Sequence, residues 1–207
     1  MIIKISQTAS NIKQSYDVDI GDAYYRGEAG NISRYQPVTL VGKEGELKGV
    51  LNTLRAWERL FDVTKNGSSH GSFARVKDGL FSKYYSISLV EGESFKCYCI
   101  SKGRFEYIPI YRGDVQIALV ETFLSVEDYK YVHKLYLLDE YACFAEMLAL
   151  FVIYYAGFVY AQRYHMSSGS YYGYSWSFSR HNKKYDPSWR ETHFPDENFF
   201  GKLNIFK

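Results

Sequence analysis

The sequence predicts a mainly β protein: about twelve antiparallel strands forming a barrel that encloses one hydrophobic helix, followed by an aromatic-rich tail. Three observations carry this. Turn signals recur roughly every 8 to 12 residues as far as Leu138, the spacing of a sandwich or barrel. Aromatic residues make up 18% of the chain, 21 of them Tyr, and such side chains pack well on a pleated surface. After the strands comes LDEYACFAEMLALFVIYYAGFVYAQRYHM from Leu138, uncharged from Met147 to Gln162. A helix apolar on every face is either surrounded by protein or spans a membrane.

The strand runs follow in order. Met1 to Ser6 alternates around Ile3 and Ile5, and Gln14 to Ile20 sets Tyr16, Val18 and Ile20 against Asp17 and Asp19. Gly21-Asp22 turns into Ala23 to Gly27, and Glu44-Gly45 joins Pro37–Lys43 to Glu46–Asn52. Thr53 to Phe61 is ambiguous, because Leu54, Trp57 and Phe61 fit helical spacing. Asn66-Gly67 and Asp78-Gly79 bracket a strand at Gly71–Lys77. Phe81–Val90, Phe95–Ser101, Arg104–Tyr111, Val115–Glu121 and Tyr129–Leu138 complete the set, three of their four joints being Gly turns. No linker divides them.

The helix is expected over Asp139–Met166. Asp139 is a reasonable N-cap, and Asp139 and Glu140 place negative charge at the positive end of the dipole. Arg163 and His165 suit the other end, and Ser167-Ser168-Gly169 stops it. The uncharged part spans roughly 24 Å at 1.5 Å per residue, short of a bilayer core of about 30 Å. Extending it back to Tyr141 would leave Glu146 in lipid. That carboxylate, the tyrosine hydroxyls and the strands waiting to enclose something favour a buried helix. The alternative, in which 141–162 spans a bilayer, stays open.

All strands first and the hydrophobic helix last is the order of a known group. The strand–Gly turn–strand units YYSISLVEGESFKCYCI and FEYIPIYRGDVQIALVE, and the run YKYVHKLYLLDEYACFAEML into the helix, resemble the tubby C-terminal domain-like superfamily. That superfamily holds tubby proteins, plant LURP-one-related proteins and phospholipid scramblases. The resemblance covers about residues 14 to 163 and implies a barrel around a central helix. Tubby proteins bind phosphoinositide headgroups through basic residues, but the motif carrying those ligands is absent here, so none can be placed on this chain by alignment. The tail after Met166 departs from the family pattern.

The chain offers little recognisable chemistry. It has no G-x-S-x-G elbow, Walker loop or G-x-G-x-x-G, and its five histidines (His70, His133, His165, His181, His193) show no ligand spacing. Asp17, Asp19 and Asp22 do not match an EF-hand, since Gly21 falls one position early. Cys97 and Cys99 share a strand face and complete no four-ligand metal set. No metal, cofactor or catalytic residue is therefore expected. Glu146 is the buried polar residue of interest, needing a partner or a proton.

What remains is a basic surface: Lys83, Lys102, Arg104 and Arg112 near hairpin ends, and Arg180, Lys183 and Lys184 among the aromatics of the tail. The net charge of +2 is too small for a nucleic-acid partner. The start MIIKISQTASNIK is too short and too polar for a signal peptide. With three cysteines in no disulfide framework, a cytoplasmic setting, peripheral to a membrane, is expected. The division expected is a barrel over 1–166 and an extension over 167–207 docked on it. The function expected is non-catalytic binding of an anionic lipid headgroup or a partner protein. Two alternatives stay open: a membrane-anchored protein, or an enzyme with a site near Glu146 or the histidines.

Overall fold

The computed structural model describes residues 1–10, 13–30, 37–54, 59–79, 82–103, 105–124, 130–159, 175–176 and 180–197. Strands β1 (Ile2–Ser10), β2 (Gln14–Ile20), β3 (Ala23–Ala29), β4 (Val38–Gly42) and β5 (Gly45–Leu54) open the chain. Then come β6 (Arg59–Lys65), β7 (Ser68–Lys77), β8 (Lys83–Leu89), β9 (Ser94–Cys97) and β10 (Ile100–Gly103). β11 (Phe105–Arg112), β12 (Val115–Leu124) and β13 (Tyr131–Leu137) precede the helix, and β14 (Ser175–Trp176) follows it. From β1 to β9 and from β10 to β13, neighbours along the chain pair antiparallel; β9 pairs with β11, and β13 returns to pair with β1 from Ile2↔Tyr136 to Ser6↔Val132. The result is a closed twelve-stranded antiparallel barrel of β1–β9 and β11–β13, with β10 and β14 added to it. Closure leaves no bare edge around the ring.

Tight turns define one mouth. Asn66-Gly67 joins β6 to β7 with both residues at positive φ (51° and 83°), as a two-residue type I′ hairpin demands. Gly21, Gly92 and Gly113 serve the turns β2–β3, β8–β9 and β11–β12 at the same mouth. The β4–β5 turn lies there too, its Glu46 N–H donating to Asn66 Oδ1 at 2.9 Å, and the opposite mouth carries β1–β2, β3–β4, β5–β6, β7–β8, β10–β11 and β12–β13.

β9 and β10 hold one register against β11, from Tyr111↔Lys96 to Lys102↔Phe105, yet the ladder lapses at Tyr98 and Cys99. Tyr98 N–H donates to Pro109 O at 3.1 Å. Pro109, having no N–H, cannot return the bond. The single strand expected at Phe95–Ser101 is divided for that reason. Beyond the start of β8, β14 takes the free side of β10 at Lys102↔Trp176.

A 3-10 turn, Asp139–Phe144, leads into α1 (Ala145–Val159), which fills the barrel. Eight strands enclose little more than side chains; twelve leave room for a helix about 10 Å across. Asp139–Gly157 is long and apolar enough to cross a bilayer, but strands surround it, and Leu148 to Phe151 have 0% exposure. α1 sits off-centre. A Cβ on Gly157 would lie 2.5 Å from Ala29 Cβ, and one on Gly27 would lie 2.5 Å from Ile153 Cδ1, so glycine permits the close approach to β3. The opposite side is filled by rings: Phe61–Tyr154 at 4.5 Å, Phe73–Phe151 at 5.6 Å and Tyr85–Tyr155 at 5.6 Å between centroids.

Toward the second mouth the lumen turns polar. Gln7, Gln14, Tyr16, Thr122 and His133 are all buried. Tyr131 N–H donates to Gln7 Oε1 (3.1 Å), Tyr16 OH donates to Gln14, and Thr122 Oγ1 lies 2.8 Å from His133 Nδ1. Burial holds the His133 imidazole down to about 3.

One ambiguity is resolved and one expectation corrected. The ambiguous Thr53–Phe61 segment holds the end of β5 and the start of β6, with 55–58 outside the described residues. Phe61 and Val63 turn inward on alternate positions, and pairing with both β5 and β7 overrides the helical spacing. Asp139 caps nothing: the residue before the turn is Leu138, without a side-chain cap, and the Asp139 carboxylate accepts instead from the Met1 amino group. The expected helix end at Met166 and its stop signal lie outside the described residues.

Candidate binding surface

The outer face of β11–β13 is apolar where an exposed sheet face would be polar. Tyr107, Leu119 and Tyr136 point away from the lumen yet are buried under the tail. Asp186 starts helix α2 (Pro187–His193), its Oδ1 accepting from Ser188 N at 2.8 Å, with Pro187 in the first turn. The Ser188 hydroxyl, donating to the same oxygen at 2.7 Å, and the Ser188 N–H hold the Asp186 carboxyl below the usual range. α2 presents Trp189, 8% exposed, to Tyr107, Leu119 and Tyr136, with Tyr185 and Phe194 beside it.

A polar bolt crosses this contact. Arg190 Nε lies 3.5 Å from Glu121 Oε1, both side chains 5% exposed. Tyr136 OH donates to Glu121 Oε2 at 3.3 Å, and Arg190 Nη1 donates to Glu197 O at 2.7 Å. Burial pushes the Glu121 carboxyl up, while Arg190 opposes the shift. A buried ion pair of this kind stabilises little in itself but is costly to break from one side.

Beside this contact, over β8–β11, lies a face of lysines and tyrosines. Lys96 Nζ sits 5.8 Å from the Tyr84 ring centre, and Lys102 Nζ 4.4 Å from that of Tyr185. Lys184 Nζ is 4.8 Å from the Tyr111 ring and 5.8 Å from the Tyr98 ring. These distances fall within cation–π reach. Tyr185 stacks on Tyr107 at 4.2 Å, and Tyr111 OH donates to Lys184 O at 2.9 Å. Burial raises the phenols of Tyr98, Tyr107, Tyr111 and Tyr185, so they stay neutral. Among the described residues, no carboxylate comes within ion-pair distance of Lys96, Lys102, Lys183 or Lys184.

The tail is tied to the β7–β8 turn at one residue. His181 Nε2 lies 2.7 Å from Asp78 Oδ2, and Arg180 pairs with the other oxygen. The His181 contact and Arg180 lower the Asp78 carboxyl. The buried His181 ring also packs on Tyr98 at 4.8 Å between centroids.

Of the basic residues singled out in the sequence, Lys102, Arg180, Lys183 and Lys184 belong to this side of the molecule. Lys83 stands at the rim of the second mouth, opposite Lys77, and Arg104 lies outside the described residues. Arg112 is at the first mouth, paired with Glu93 and 5.9 Å from the Tyr141 ring centre. Successive turns of an up-and-down barrel alternate between mouths, so Arg112 cannot join Lys102 at the far end of β11. Sequence reasoning missed Lys96, Asp78 and the Arg190–Glu121 pair. The near-continuous apolar runs of β11–β13, the signature of strands buried on both faces, were the available signal.

Glu146 has its partners at the first mouth. Lys65 Nζ lies 2.8 Å from Oε2, and Tyr25 OH donates to Oε1 at 2.8 Å. Burial and this carboxylate push the Tyr25 phenol up to about 12. The arrangement closes the mouth over the start of α1. Cys97 and Cys99 stay thiols facing the lumen, both raised by burial. Among the described residues, no group of three or more His, Cys, Asp or Glu could hold a metal ion. No protein-family model matches the chain, and no curated protein or solved structure is significantly similar to it.

Proposed function

We propose that this protein is a non-catalytic binding module that takes an anionic lipid headgroup on the face of Lys96, Lys102 and Lys184. The observation that carries the reading is that three ammonium groups stand over tyrosine rings and, among the described residues, no carboxylate neutralises them. Tyrosine suits an interface, its ring apolar and its hydroxyl able to donate. Each lysine close to an anionic leaflet contributes about 1 kcal/mol. The tubby-like resemblance supports the same reading through architecture, a barrel of strands around a helix. On this view the protein works at the cytoplasmic side of a membrane as a peripheral component, with Glu146 serving the fold.

Co-sedimentation tests it, with phosphatidylcholine vesicles that carry or lack phosphatidylserine, at physiological salt. Binding is expected to the anionic vesicles alone, and to weaken as salt rises. Replacing Lys102 and Lys184 together by Ala should cost roughly 30-fold in affinity. Equal binding to both vesicles, or none, overturns the proposal, and capture of a protein in place of lipid would point to the partner-protein reading.

A further inference from the structure

The lysine–tyrosine face is not a property of the barrel alone. Lys96–Tyr84 lies within the barrel, but the other contacts join barrel to tail: Lys102 to Tyr185, and Lys184 to Tyr98 and Tyr111. Two devices hold the tail in place. One is the attachment of Arg180 and His181 to Asp78, three to four residues before Lys184. The other is Trp189 and Arg190 set into the outer face of β11–β13.

We infer that anion binding at this face and docking of the 180–197 segment are coupled, each strengthening the other, with the Asp78 attachment as the point of control. This rests on the binding reading above. The physical reason is direct: a ligand touching Lys102 and Lys184 touches both parts at once, and so binds the docked arrangement better than the undocked one. Linkage then makes the effect reciprocal, the anion favouring docking by the same factor as docking favours the anion. With the tail released, the face loses Lys184 and Tyr185 and keeps Lys96 and Lys102 over the remaining rings. Loss of one lysine near an anionic leaflet lowers affinity roughly five-fold.

The test uses the full chain and two readouts. Hydrogen exchange is followed at residues 187–194, which lie on β11–β13 and include none of the three lysines. Vesicle binding is followed by co-sedimentation, with phosphatidylcholine vesicles containing or lacking phosphatidylserine. In the unaltered protein, anionic vesicles should slow exchange at 187–194 and neutral vesicles should not. Asp78→Ala should speed that exchange and lower binding to anionic vesicles roughly five-fold. Trp189→Ala supplies a second route to a loosened tail if Asp78→Ala leaves docking intact, and the same loss of binding is expected from it. If the unaltered protein binds no anionic vesicle, the binding reading itself has failed. If it binds, but exchange at 187–194 is unmoved by vesicles and a loosened tail binds as well as a docked one, the coupling is overturned.

Discussion

The barrel wall has two kinds of strand, and their difference shows where the tail docks. β2–β5 alternate in the ordinary way: Tyr16, Val18, Leu40 and Leu47 face the helix, while Asp17, Asp19, Arg26 and Lys48 face water. β11–β13 are apolar on both faces, with Ile108, Val120 and Leu135 inside and Tyr107, Leu119 and Tyr136 outside. The inner faces answer to one requirement, enclosing α1. The outer faces differ because, among the described residues, the tail covers that of β11–β13 and leaves that of β2–β5 uncovered. An apolar outer face on a closed barrel has no folding purpose of its own, so it marks where another element must lie.

The sharpest way to break this comparison is to place the same charge on each half. Leu119→Asp, at 0% exposure on the outer face, should cost at least about 3 kcal/mol, because it buries an unpaired carboxylate. Val41→Asp, 46% exposed on β4, should change stability by no more than about 0.5 kcal/mol. Urea unfolding of the two variants measures both. Equal costs would mean that the tail does not cover β11–β13.

Acid should act through His133 on the inner face of the covered half. Burial holds it at about 3, below the ordinary imidazole value of 6.5, so the folded protein binds fewer protons there than the unfolded chain. The stability this contributes is fully present above the unfolded value and is lost as pH falls towards the folded one. Between neutrality and about pH 4.5 the loss should be about 2–3 kcal/mol. Urea midpoints measured across that range should show a smaller fall in His133→Gln than in the unaltered protein.

A fourth variant sharpens the account of the lumen. Gly157→Ala puts a methyl 2.5 Å from Ala29 Cβ and should cost about 1–3 kcal/mol, since helix and strand must separate. Thermal unfolding would register it. The smallest effect is expected from ion pairs at the surface. Lys134→Ala removes a 2.8 Å pair with Glu197 in the tail, and Lys13→Ala a 3.7 Å pair with Glu28 on the bare half. Each should cost less than about 1 kcal/mol in urea, the second less than the first.

Local chemistry made the barrel legible. Asn66-Gly67, Gly21 and Gly113 announce their turns because few residues tolerate positive φ, and β2–β5 announce themselves by alternation. The helix was legible from its uncharged run, and Glu146 from the oddity of a carboxylate inside it. β6 was hard to see because Leu54, Trp57 and Phe61 offer a competing period. The candidate surface was visible only in part. Lys102 stood out at a hairpin end and Lys184 among the aromatics of the tail, but Asp78 and His181 lie 103 positions apart, and Glu121 and Arg190 also meet only through folding. No local pattern announces a contact of that kind. Arg112 was grouped with Lys102 because both flank turns, and only the up-and-down course of the wall separates them.

Trypsin cleavage at Arg190 of the intact chain tests the central claim, that the tail is part of the outer wall, most directly. Arg190 is 4% exposed and bonded to Glu121 and Glu197, whereas Lys183 nearby is exposed. Cleavage at a docked site waits on local opening, so the chain should be cut after Arg190 far more slowly than a free peptide of residues 180–197. Cutting of the intact chain at the rate of the free peptide would contradict the account.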